Sequence, residues 1–235
     1  MLAVTPHIAP DVCAIAPGFR ALSITVEAAP IRHPEVAEQA LERACARLLA
    51  GEPSWAEAHL TAWAEVFRHF GAKPQRTPCS AEALRKRALR DGSLPSIDPL
   101  VDLYNAISVE FAIPVGGENL AAYAGTPRLV IAEGCEPFDT MKDGAPATEY
   151  PEPGEVIWRD DLGVTCRRWN WRQGVRTRLD AGAQQIWFIL ESLPEMPLDA
   201  LQAAGERLVA GLLVMMPGAR AETVLVTCRA QTATA

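Results

Sequence analysis

Three guanidinium groups, two indoles and two side-chain amides fall within the run Cys166-Arg167-Arg168-Trp169-Asn170-Trp171-Arg172-Gln173-Gly174. Arginine presents planar, bidentate donors that fit a carboxylate or a phosphate, and an indole face accepts a flat ring, a base or another guanidinium. With Arg159 before it and Arg176 and Arg178 after it, the run reverses the local sign of a 235-residue chain whose net charge is -7. Such a reversal marks a place for an anion. A plainer reading stands beside it. On a strand, Trp169 and Trp171 share one face and pack in the core, while Arg168, Asn170 and Arg172 share the other. Part of the arginine row would then only pair with Asp160, Asp161, Asp180 and Glu191. A shift of one residue in register inverts the faces, which leaves open whether Arg167 or Arg168 points into a site.

Other residues suited to chemistry are sparser. Asp102 and Asn105 lie three apart and are neighbours on a helix face. Val115-Gly116-Gly117-Glu118 reads as a loop with enough glycine for a backbone to approach a ligand. Glu191 stands where the apolar run Ile186-Trp187-Phe188-Ile189-Leu190 ends. His59 falls in an apolar stripe and reads as a packing histidine. Cys166 has no histidine near it in sequence and reads as a packed thiol. The six cysteines include no Cys-x-x-Cys pair and the four histidines no ligand spacing. Reduced, packed thiols are expected, with no disulfide frame, no metal site and no cofactor.

These residues need a scaffold, and a chain with 49% hydrophobic content can bury a large core. No stretch approaches about 18 uninterrupted apolar residues, and Met1 to Asp11 lacks the pattern of a signal peptide, so no membrane partner and a cytoplasmic location are expected. The acidic balance speaks against DNA binding or general coating of nucleic acid, and leaves room for a local contact to a nucleic-acid end. Strands are expected over 19–27, 128–133, 155–158, 163–171, 185–191 and 222–228, with 11–16 as a partner strand. Helices are expected from Pro34 to Gly51, Ser54 to Phe70, Ser80 to Arg90, Pro99 to before Pro114 with Asp98 as cap, and Pro197 to Met215. The Pro/Gly-rich segment 142–154 reads as a mobile loop. Strands separated by helices give an α+β fold, a mixed sheet core with packed helices. The expected organisation is a single domain in which 1–78 is an N-terminal strand and helical elaboration and 79–235 the core with a C-terminal helix and strand.

Pro95-Ser96-Ile97-Asp98-Pro99-Leu100-Val101-Asp102-Leu103-Tyr104-Asn105, then Glu110, Ile113-Pro114 and the strand Ile186 to Glu191, resemble the B3/B4 domain of the phenylalanyl-tRNA synthetase beta subunit. The span from about Cys79 to Ser192 is similar to that domain, and Arg167-Arg168-Trp169-Asn170-Trp171-Arg172-Gln173 resembles its free-standing members. In the synthetase this domain is the editing site, which hydrolyses the ester of tRNA charged with the wrong amino acid, chiefly tyrosine. The resemblance implies a free-standing deacylase of mischarged tRNA that makes a weak, local contact with the aminoacyl-tRNA 3' end. The family's Asp-x-x-Asn motif corresponds to Asp102 and Asn105, and its strand-ending Glu, which faces the wrong substrate's hydroxyl, to Glu191. Its pocket histidine falls at or near Gly116. Arg168-Trp169-Asn170-Trp171 stands where the synthetase has a glycine-rich turn, which implies a smaller or differently shaped pocket.

An aminoacyl ester is activated, so a site needs only to hold the ribose, orient a water and stabilise an oxyanion. Arg168, Asn170, Asp102 and Glu191 are the expected catalytic residues. Asn105, Gly116, Gly117, Trp169, Trp171, Arg172 and Gln173 are the expected substrate-binding set. The alternative is a non-catalytic module that binds an amino acid or small anion in the same pocket.

Overall fold

A computed structural model describes residues 3–180 and 182–228. Its organising strand is β10 (Gln185–Ser192), apolar on both faces because both are covered. It lies in an antiparallel sheet of order β11-β2-β10-β3, with β2 at Arg20–Glu27, β3 at Val115–Asn119 and β11 at Arg220–Thr227. Ile186, Phe188 and Leu190 meet a helical layer in which Leu103 and Ile107 of α5 (Pro99–Phe111) join Leu208 and Leu212 of α6 (Leu198–Met215) and Ala37 of α2 (Glu35–Leu49). Trp187 and Ile189 point the other way, into a second core with Trp158, Trp169 and Leu129.

That core is closed by a second, mixed sheet of order β1-β4-β7-β8-β5-β6. Its strands are β1 (His7–Ile8), β4 (Arg128–Ile131), β5 (Phe138–Lys142), β6 (Ala145–Glu149), β7 (Val156–Arg159) and β8 (Val164–Arg167), with β9 (Arg172–Gln173) paired to β8. The short α1 (Pro10–Ile15) and α3 (Ala56–His69) flank it, and Trp63 and Phe67 of α3 enter the inter-sheet core. α4 (Ser80–Asp91) packs through Leu84 and Ala88 against α2 and α5. The molecule is thus layered helices, sheet, sheet, an α+β arrangement. Residues 1–78 are not peripheral to it, since β2 runs between β10 and β11 in the middle of the first sheet.

Several expectations change. Residues 11–16 form α1 rather than a strand, because Pro10 opens a helical turn there. Segment 142–154 is largely the β5–β6 hairpin, paired from Phe138↔Glu149 to Lys142↔Ala145 around Asp143-Gly144, both with positive φ. Val115–Asn119 is a strand rather than a loop; glycine lowered its apparent strand character, yet β10 supplies its hydrogen bonds. Strand β8 ends at Arg167 instead of continuing to Trp171. Cys13 and Cys228 are not free thiols: they form a disulfide across a sequence separation of 215. No local signal reveals this pair. It forms because β2 follows α1 and pairs with β11, which returns the chain to Phe19, whose carbonyl accepts the Cys228 N–H.

Gly117 in β3 is sterically required. A Cβ there would lie 2.9 Å from Phe188 Cε1 and 3.0 Å from Tyr104 Cε1. Gly117→Ala is expected to push two rings out of well-packed positions and cost about 1–3 kcal/mol in urea unfolding. Unchanged stability would mean that this strand packs more loosely than described.

Candidate functional site

A cavity of about 290 Å³ opens between the sheets beneath α4 and α5. Its floor follows from strand register. Gly116 pairs with Ile189 and Glu118 with Trp187, so β3 and β10 present Gly116, Glu118, Trp187, Ile189 and Glu191 on one face. Trp158 of β7 and Cys166 of β8 form the opposite wall, and Trp169, Asn170 and Trp171 close one side. Ser80, Leu84 and Asn105, all half-buried, complete the rim.

Glu191 is 1% exposed. Its Oε1 accepts the indole N–H groups of Trp158 and Trp169, both at 2.9 Å, and its Oε2 accepts Asn170 Nδ2 at 3.0 Å. All three partners can only donate through these atoms, so they suit the carboxylate. Burial pushes the other way and dominates, raising the carboxyl to about 7, with the Asn170, Trp158 and Trp169 bonds opposing the rise. Asn170 and Ser80 both line this cavity, and the Asn170 Oδ1 and Ser80 Oγ atoms are buried and have no hydrogen-bond partner.

The clamp on Glu191 depends on a turn with unusual backbone. Arg168 and Trp169 have φ of 47° and 64°, the left-handed region that non-glycine residues rarely occupy. Each such residue costs on the order of 1 kcal/mol or more and persists only where its surroundings fix it. Here Arg167 bonds Glu155 through Nε at 3.0 Å and Nη2 at 2.8 Å, and the Arg168 N–H donates to the same carboxylate at 2.9 Å. The Trp169 ring, fully buried, sits 5.1 Å from Phe19 and 5.3 Å from Trp63 in edge contacts. This turn carries Trp169 and Asn170 onto Glu191.

A second carboxyl occupies the far end. Glu118 is four residues of β10 away, about 13 Å along the strand, because it pairs with Trp187. Its side chain is 5% exposed and accepts Thr177 Oγ1 at 2.9 Å and the Tyr123 hydroxyl. Burial raises it to about 7 as well. The Cys166 thiol is pushed well above its usual value, first by burial, and so remains uncharged. His59 is a packing residue: Nδ1 donates to the Ala112 carbonyl at 2.8 Å, Nε2 accepts from Trp63 and from the Leu193 N–H, and burial lowers its pKa to about 4.

Of the residues singled out from sequence, Glu191, Asn170, Trp169, Trp171, Asn105, Gly116 and Gln173 line the cavity. Four do not. Asp102 is buried in the start of α5, where it accepts Ser96 Oγ at 2.6 Å and the Ile97 N–H at 2.9 Å. Arg168 lies outside, its guanidinium 4.7 Å over the Trp171 ring and its Nε 3.7 Å from Glu155. Arg172 covers Trp171 at 5.3 Å and pairs with Glu149. Gly117 contributes only its carbonyl, which accepts Gln173 Nε2 at 2.8 Å. Glu118, Trp158, Trp187 and Ser80 were not singled out. The alternation of Gly116 and Glu118 was the available signal for the first, and the loop reading hid it. Among the described residues no cluster of His, Cys, Asp or Glu is placed to hold a metal ion.

The B3/4 domain model matches residues 62–200, more than half of the chain, and the chain belongs to that family. A solved structure similar to it is an N-terminal fragment of the phenylalanyl-tRNA synthetase beta-subunit from Pyrococcus horikoshii. Identity is 9%, the TM-score 0.47, and the match covers 95% of this chain and 54% of that fragment, so this chain spans about half the fragment's length. No curated protein matches.

The raised Glu191 carboxyl has a signed consequence. A carboxyl whose value rises on folding favours the folded state below its ordinary 4.5 and loses that contribution as pH climbs to about 7. Glu191→Gln cannot ionise, and a rotated Asn170 amide can accept from the new N–H. Its stability relative to the natural protein should therefore rise between pH 5 and pH 8, by on the order of 3 kcal/mol, in paired urea titrations. A pH-independent difference would refute the buried, cation-free carboxyl.

Proposed function

We propose that the protein hydrolyses the ester of mischarged aminoacyl-tRNA, acting in trans. The observation that carries this reading is the pairing of Glu191 with Asn170 at one end of an indole-walled cavity in a B3/4 domain chain. Glu191 Oε2 and the unpartnered Asn170 Oδ1 are acceptors, suited to the α-ammonium of the aminoacyl group. Holding that ammonium fixes the adjacent ester against the wall, where positioning supplies much of the rate for an activated acyl group. Water adds to the carbonyl carbon, the Ser80 hydroxyl donates to the developing oxyanion, and the bond to the ribose oxygen breaks. That oxygen leaves with a proton, giving a free amino acid and the tRNA hydroxyl.

Trp171 closes one side of the cavity, and the Arg168 and Arg172 guanidiniums over its ring suit the phosphates of a terminal nucleotide. Asp102 has a structural part in this scheme, setting the Ser96-Ile97 approach to α5. The non-catalytic alternative draws on one observation: the only cysteine in the cavity is protonated and no histidine lines it, so no nucleophile and base pair is present.

Purified protein is to be incubated with tRNAs carrying correct and incorrect amino acids. Selective release of a mischarged amino acid is expected, with kcat/KM reduced about 100-fold by Asn170→Ala or Glu191→Gln. Arg168→Ala should instead raise KM and weaken its salt dependence. Folded protein that binds amino acids but releases none from any tRNA would favour the binding module.

A further inference from the structure

We infer that Glu118 makes this cavity selective for an aminoacyl group whose side chain ends in a cation, an ammonium or guanidinium. The inference rests on the deacylase reading and specifies its substrate class. Its geometric basis is the two-ended cavity. Glu191 and Glu118 stand at opposite ends of one strand face, and between them lie Trp158, Trp187, Ile189 and the side of Tyr104. Among the described residues the lining contains no Lys, Arg or His. If the Glu191 end holds the α-ammonium, the other end receives the side chain, and there it meets a second buried carboxyl beside an indole.

The groups around Glu118 oppose the effect of burial only in part, and no guanidinium bonds its carboxyl. Arg176 favours the charged form of Glu118 from a distance, but its N–H groups are spent on Asp160, with two bonds of 2.8 Å, and on the Ala122 carbonyl, and the Asp160 charge opposes it. Arg178 bridges Glu118 only through the backbone and is exposed. Gln173, Tyr123 and Thr177 donate to it and bring no charge, and Tyr104 and Cys166 are neutral, both raised by burial. Two buried carboxyls and an aromatic wall with no resident cation form a site that a cation completes, through ion pairing and the indole quadrupole together. A neutral side chain of the same length would leave the carboxyl desolvated and unpaired. Because burial raises both carboxyls to about 7, a bound cation should drive protons off them.

The test uses the full chain and calorimetric titration at pH 7 with lysinamide, argininamide and the neutral norleucinamide, in phosphate and in Tris to count protons. A basic amide should bind at least tenfold tighter than norleucinamide and release protons, and Glu118→Gln should abolish that preference, with the basic amides binding no tighter than norleucinamide. The proton count on the natural protein stands even if the variant misfolds. The same solutions are then assayed against tRNAs charged with lysine, arginine, norleucine and tyrosine. Turnover that favours the neutral amino acids, with no preference for basic amides, overturns this inference and leaves the deacylase intact. Basic-amide preference without turnover of any tRNA keeps the ligand class and overturns the deacylase. Neither binding nor turnover overturns both.

Discussion

One buried carboxylate ties the two sheets together. Glu191 leaves the end of β10 and takes indole N–H groups from Trp158 on β7 and from Trp169 on the turn after β8, with the Asn170 amide on its other oxygen. Removing any one of these partners would leave a charge or an N–H without its bond inside the protein, where an unmet polar group costs on the order of 1–3 kcal/mol. The same bonds fix the ring planes that wall the cavity. The left-handed turn at Arg168 and Trp169 is the local cost of this geometry, and the Glu155 carboxylate on one side and the Phe19, Trp63 and Phe70 rings on the other hold it.

The arrangement separates tasks between the faces of β10. Its Ile186, Phe188 and Leu190 face supports the helices, while its Trp187, Ile189 and Glu191 face builds the site. A site on a strand buried on both faces is rigid, and its groups are desolvated. Desolvation raises both carboxyls to about 7. Arginines that read in the sequence as a place for an anion are instead mostly committed: Arg167 to Glu155 and Glu149, Arg176 to Asp160. Their role is to brace the turn and the loop behind the cavity, leaving Arg168 and Arg172 at its edge.

Much of this was legible in the residues. The apolar strand ending in Glu191, the Asp98-Pro99 start of α5 and the helix from Leu198 were readable because local period and capping chemistry agree with the tertiary structure. The run from Trp169 to Gln173 stood out by composition, and all of it but Arg172 lines the cavity. Its geometry was not legible, because alternation on paper suggests a strand, and only the bonds to Glu155 and Glu191 convert it into a turn. Glu118 escaped because Gly116-Gly117 weakens strand character, while pairing with β10, a long-range fact, restores it. The Cys13–Cys228 bond was invisible for the same reason.

The central claim, that Glu191 is a buried carboxylate held by two indoles, can be read directly by following the indole N–H proton signals of Trp158 and Trp169 by NMR as pH is varied. The account predicts that both signals move together with one midpoint near 7 and that the transition vanishes in Glu191→Gln. Independent behaviour of the two indoles, or a common midpoint near 4.5, would contradict it.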